Sequence, residues 1–295
     1  MSVFVDVSYS AYHQMVIDAL GMVISNMNTA LVFALSLISR SFPYLSLVVP
    51  PFIRTMENRQ CDQRHITRIL YFLMDLVQTV KEHIRTYLPG ILKAVEPFWE
   101  TNQFEILRFV RTCSACFYSE FKLYLVYVLP RMLSLLAEDP PEKKAATTEI
   151  VHCLHCIVPS LDNHLNVVLP VLIRFIENNQ EYSANQREAV KCLRRIVHEL
   201  DVSLYTSQII MPLLRVLSRD YCDVIPEIMD VICAVISQKQ QEAYIYLTAI
   251  NKVVAEKKII YPKFTEISNA LYRGGVSSNF IFLQWNMSLI RRMIA

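Results

Sequence analysis

The chain has 295 residues, 53% apolar and 19% charged, with only four glycines. Four glycines are too few for the hairpin turns of an all-β fold or for the phosphate-cradling loops of Rossmann and P-loop sites. Lys plus Arg (29) nearly cancels Asp plus Glu (27), and basic residues cluster only in short pairs such as Lys143-Lys144 and Arg194-Arg195. No concentrated basic stripe of the kind that reads nucleic acid is present in the sequence. Composition therefore predicts a packed, all-helical protein with a large core.

In chain order, the first segment carries Asp6 and Asp18 and no basic n-region, which argues against a secretory signal. No charge occurs between Asp18 and Arg40, a span near bilayer thickness. Ser25, Asn26, Asn28 and Thr29 sit at its centre, where lipid burial costs most, so the span reads as two shorter helices meeting at a polar break.

From Tyr44 onward the chain repeats itself. Tyr44-Leu-Ser-Leu-Val-Val-Pro50, Tyr124-Leu-Val-Tyr-Val-Leu-Pro130 and His164-Leu-Asn-Val-Val-Leu-Pro170 are versions of one heptapeptide, with looser copies at Tyr87, Tyr205 and Tyr244. Successive leads lie 43, 37, 40, 41 and 39 residues apart, the period of HEAT or armadillo helix pairs. Apolar residues recur at +1, +4, +5, +8 and +12 from the lead: Leu125, Val128, Leu129, Met132 and Leu136 in one copy. Leu88, Ile91, Leu92, Val95 and Trp99 hold those places in another, and Leu165, Val168, Leu169, Leu172 and Ile176 in a third. That spacing lays a wide apolar stripe along an α-helix. The mid-helix proline lacks a backbone donor and is expected to bend it.

Second helices alternate with these. Ile66 to Val80 presents Ile69, Leu70, Leu73, Leu76, Val77 and Val80 on one face. Asp139-Pro-Pro-Glu142 offers a helix start, and Ser183 with Gln186 a capping box ahead of Val190, Leu193, Ile196 and Val197. Each pair leaves apolar surface that only the next pair covers. The expected fold is all-α: an α-α superhelix, a HEAT/armadillo-like solenoid of about six to seven helix pairs. Residues 12–275 form it without separable domains, after an N-terminal extension (1–11) and before an atypical tail (276–295).

The eight cysteines include Cys113-x-x-Cys116 and Cys153-x-x-Cys156, each eleven residues ahead of a repeat lead at its first cysteine. Together the two pairs form a zinc-ligand alternative. Their helical context instead favours small buried apolar residues, and no metal or cofactor is expected. A disulfide framework is disfavoured in so long a chain without a secretory signal. No Gly-x-Gly-x-x-Gly, His-Arg-Asp, Asp-Phe-Gly, Gly-x-Ser-x-Gly or His-Glu-x-x-His occurs, and no carboxylate pair stands out, so no catalytic residue is assigned. His83 and His198 fall near helix ends, where an imidazole suits the negative pole. Trp99 reads as core; Trp285 lies outside the repeat.

The runs Tyr12–Leu20, Val80–Leu88, Glu120–Leu125, Leu161–Glu177, Tyr205–Leu217 and Asn251–Val253 together resemble, in order and spacing, the target of rapamycin (TOR) kinase family. The similar region is its middle HEAT solenoid ahead of the FAT domain, and the resemblance covers about Tyr12 to Gly274. It implies a non-catalytic scaffold segment of a serine/threonine kinase in growth signalling. The implied partners are raptor or rictor, Rheb and a second TOR chain. The implied location is cytoplasmic, and also lysosomal or endomembrane surfaces reached through partners. No direct membrane insertion is expected. No family catalytic, ATP or drug-binding residue matches a position here, and partner contacts stay unassigned. A different HEAT adaptor, an importin-like receptor or a phosphatase scaffold, is the alternative. Thr29–Pro43, residues 276–295 and the first eleven depart from the family pattern.

Overall fold

A computed structural model of the chain describes residues 45–57, 63–138, 144–179, 183–219, 222–238 and 244–275. Among the described residues there are twelve α-helices joined by short 3-10 turns, and no strand. The chain divides into two compact units, Met1–Met132 and Leu133–Ala295.

The first unit contains α1 (Leu45–Glu57), α2 (Gln63–Val80), α3 (Leu88–Ala94), α4 (Gln103–Phe117) and the opening of α5 (Leu125–Glu138). Within it α1 packs on α3 and α2 on α4, so helices two apart in sequence are neighbours. Gly90 permits the first contact, because a Cβ there would stand 3.2 Å from Ile53 Cδ1. In the second unit, after the end of α5, come α6 (Lys144–Ile157), α7 (Leu165–Asn178), α8 (Ser183–Glu199), α9 (Thr206–Leu217), α10 (Ile225–Gln238), α11 (Tyr244–Glu256) and α12 (Pro262–Gly275). Here α6, α8, α10 and α12 stack in one row and α7, α9 and α11 in the other, with α8 and α10 packed across to α7 and α9. This is the arrangement of an all-α solenoid, in which each pair buries the face of its neighbour. At the link between α6 and α7 the chain turns by 119° through two 3-10 turns around Pro159. No described helix is by itself long and apolar enough to cross a membrane.

The stripes are the core. All fifteen stripe residues of the Tyr87, Tyr124 and His164 copies are buried, Trp99 included. In the Tyr205 copy Thr206, Ile209, Ile210, Leu213 and Leu217 fill the same places. The copy expected at Tyr244 differs. Its +1 residue, Ile245, is exposed, whereas Leu247 and Ile250 are buried, so the register begins at Tyr246. Aromatic residues at both positions make the lead ambiguous in sequence, and the apolar pair that reaches the core decides it. On α2, all six face residues from Ile69 to Val80 are buried as expected.

Pro130, Pro170 and Pro212 lie inside α5, α7 and α9. Each removes the donor that would serve the carbonyl four residues earlier. Those carbonyls belong to Val126, Asn166 and Gln208, all exposed residues. The Gln186 of the capping box expected at α8 is buried and donates from Nε2 to the Ile176 carbonyl of α7 at 2.9 Å, which satisfies a helix-end acceptor. The Ser183 side chain, Asp139–Glu142, Asp18–Arg40 and Trp285 lie outside the described residues or side chains.

With so few glycines, some chain reversals rest on ordinary residues in the left-handed half of φ space: Lys81 (φ 46°), Tyr118 (φ 47°) and Lys258 (φ 51°). Lys81 and Tyr118 occupy the same place, six residues ahead of their repeat leads.

Candidate interaction faces

Polar side chains tie each helix pair to the next. Asn102, which immediately precedes α4 and is 1% exposed, donates from Nδ2 to Thr67 Oγ1 of α2 at 2.7 Å. In the second unit Thr148 of α6 donates to Asn185 Oδ1 of α8 at 2.8 Å, and Asn185 Nδ2 returns to the Lys144 carbonyl at 3.2 Å. Gln238 at the end of α10 accepts from the Val202 amide and donates to the Val197 and Leu200 carbonyls, closing the C-terminal end of α8. Arg219 donates to the Glu177 carbonyl at 2.7 Å, and Arg215 Nε to Glu177 Oε1 at 2.9 Å, joining α9 to α7. Partners in these links stand about one repeat apart in sequence.

The densest link centres on Asp230 of α10, itself buried. Lys263 of α12 donates to Oδ1 at 2.6 Å, and Arg194 Nε of α8 pairs with Oδ2 at 2.5 Å. His198, one turn along α8, stands 3.9 Å from the same Oδ2. Burial opposes ionisation of this carboxyl, but the Lys263 hydrogen bond and the Arg194, Lys263 and His198 charges outweigh it and hold the pKa below the ordinary aspartate value. A second cluster joins α6 and α8: His152 faces Glu188 at 3.3 Å, and Glu188 accepts from Lys191 at 2.6 Å. Burial, then the Arg195 charge, pushes the neighbouring His155 below the usual histidine range. Asp230 escapes sequence reasoning because its cations come from two other helices; the only trace is their spacing of roughly one repeat.

Exposed apolar residues mark the start of the lead helices. Leu123, Leu204 and Ile245, exposed by 68%, 86% and 75%, all sit one residue ahead of a lead. Val126 and Tyr127 extend the first of these in unit one; Met211 lies one helical turn or more beyond Leu204 on α9, and Val167 is exposed on α7. Within the second unit Leu204 and Ile245 hold this place in adjacent copies, whereas the His164 copy has Asn163 there.

The cysteine pairs fall inside α4 and α6. Cys113 and Cys153 are buried, Cys116 and Cys156 half-buried. Burial raises the Cys116 thiol pKa, with Lys81 opposing. Among the described residues no group of three or more His, Cys, Asp or Glu side chains is placed to hold a metal ion. His83 is exposed in the 3-10 turn Lys81–Ile84, and His198 is exposed beside Asp230.

No family model matches the chain. It is 27% identical over 274 residues to the serine/threonine-protein kinase tor1 of Schizosaccharomyces pombe, which covers 91% of the chain. It is 26% identical over 290 residues to the serine/threonine-protein kinase TOR of Oryza sativa subsp. japonica and 25% identical over 278 residues to that of Arabidopsis thaliana. In each case the chain spans 11% of the relative's length. The chain is therefore TOR-like, homologous over about nine-tenths of its length to one stretch of the TOR serine/threonine-protein kinases.

Proposed function

We propose that this segment is a non-catalytic helical scaffold of a TOR-type protein kinase, acting by contact with protein partners. The observation that carries the reading is collinear similarity to TOR kinases joined to a row of helix pairs whose conserved spacing serves burial, not chemistry. Its ionisable clusters are consumed in links between neighbouring helices, and exposed apolar residues such as Leu204 and Ile245 at the start of lead helices suit contact with a protein surface. The partners proposed are raptor or rictor, Rheb and a second TOR chain, met in the cytoplasm and at lysosomal or endomembrane surfaces.

Affinity capture from cytosolic extract with the folded chain tests this. Retention of raptor and Rheb, together with absence of ATP hydrolysis or kinase activity in the purified chain, is expected. Retention of Ran or a phosphatase subunit instead would place the chain among other HEAT adaptors, and intrinsic kinase activity would overturn the scaffold reading.

A further inference from the structure

The α6–α8 contact follows a fixed register. Thr148 meets Asn185 at 2.8 Å, His152 meets Glu188 at 3.3 Å, and Arg195 Nη1 donates to the His155 carbonyl at 2.7 Å. One turn after His152 on α6 comes Cys156; one turn after Glu188 on α8 comes Cys192. The register, pinned on both sides, sets these two cysteines opposite one another. Each carries what one half of a redox pair needs. Cys156 is half-buried and reachable from solvent, whereas Cys192 is fully buried and reachable only from its neighbours. Cys156 is close enough for its charge to add to the rise that burial imposes on the Cys192 thiol, while Arg195 opposes that rise.

We propose that Cys156 and Cys192 form a peroxide-driven disulfide that locks α6 to α8. The Cys156 thiolate attacks one oxygen of hydrogen peroxide; the O–O bond breaks and hydroxide departs, taking a proton to become water, leaving a sulfenic acid. The Cys192 sulfur then attacks the Cys156 sulfur as its own proton is lost. The S–O bond breaks, and the departing hydroxide takes that proton to form a second water. Two thiols lose two electrons in total and one peroxide is reduced to two waters. Because a buried thiol gives up its proton reluctantly, the second step is the slow one. The product joins adjacent helix pairs covalently and removes their freedom to slide, a constraint that a bond within α6 between Cys153 and Cys156 does not impose.

The test treats the folded 295-residue chain with hydrogen peroxide, alkylates the remaining thiols under denaturing conditions, and digests with trypsin without reductant. Cys192 then lies in the tripeptide 192–194 and Cys156 in the peptide 145–174. Mass spectrometry is expected to find these two joined, at least tenfold above the untreated chain. The same product is expected in Cys153→Ala, and none in Cys192→Ala, where Cys156 stops at sulfenic or sulfinic acid. If the wild-type chain shows Cys156 bonded to Cys153, or Cys192 alkylated in full after peroxide, the proposal is overturned. Because the peptide 145–174 also holds Cys153, fragmentation of the joined wild-type peptide assigns the bond, and a bond to Cys153 rather than Cys156 overturns the proposal even if a variant fails to fold.

Discussion

At Asp230 a single carboxylate, 7% exposed, holds the cations Arg194 and Lys263 from two flanking helices, with His198 3.9 Å away. Removing its charge leaves Arg194 and Lys263 facing one another without a counter-charge. Asp230→Asn is expected to cost about 1–3 kcal/mol, less than a fully buried ion pair because the cations are half in water. The folded carboxyl titrates below its unfolded value, so between those two values the unfolded chain binds more protons. Stability is thus complete above the ordinary aspartate pKa and falls as pH drops through the folded one. Urea melts of wild type and Asp230→Asn across that acid window check this: the gap between them is expected to narrow as pH falls. Tyr118 shows the opposite kind of cost. Its φ of 47° with ψ of −127° suits glycine, and its side chain is largely in solvent. Tyr118→Gly is expected to stabilise the chain by about 1 kcal/mol, whereas Tyr118→Val, β-branched at the same φ, is expected to destabilise it. A rise in thermal midpoint for glycine and a fall for valine is the signature.

Among the elements, the lead helices were legible in the sequence because burial demands the same five positions in every copy. Trp99 at +12 is the largest of these side chains, 2% exposed. Trp99→Ala is expected to cost about 3–5 kcal/mol by denaturant unfolding. Trp99→Phe is expected to cost much less, since the indole Nε1 it removes has no hydrogen-bond partner. Asn102→Ala breaks the link from the start of α4 to Thr67 of α2 and is expected to cost about 1–2 kcal/mol, measured the same way. What sequence did not disclose are features decided by a neighbouring helix. Tyr244 and Tyr246 look equally good as leads, and only the burial of Leu247 and Ile250 separates them. Gln186 fits a capping box by spacing, and its bond to the carbonyl end of α7 is a link that local spacing does not announce. Asp230, in the same way, has no local signature, because its partners are set by the stacking of α8, α10 and α12.

At the largest scale, the central claim is that within each unit helix pairs pack in succession, each against its neighbours. In the second unit α9 packs on both α7 and α11, and α8 and α10 carry the parallel row. The forty-residue period announced this architecture, since a repeat that cannot bury its own apolar face must borrow the next one. The two candidate zinc pairs, Cys113/Cys116 and Cys153/Cys156, share that period for the same reason: a small apolar side chain suits the same packing site in each copy. The most direct measurement uses Asn166, Ser207 and Thr248, exposed residues at the second position after their leads on α7, α9 and α11. Nitroxide side chains placed there in pairs report distances by electron spin resonance. Stacked helices predict equal separations of about 10 Å between backbones for 166–207 and 207–248, and about 20 Å for 166–248. A 166–248 distance no longer than the other two would mean the helices close on themselves as a bundle, and would contradict the account.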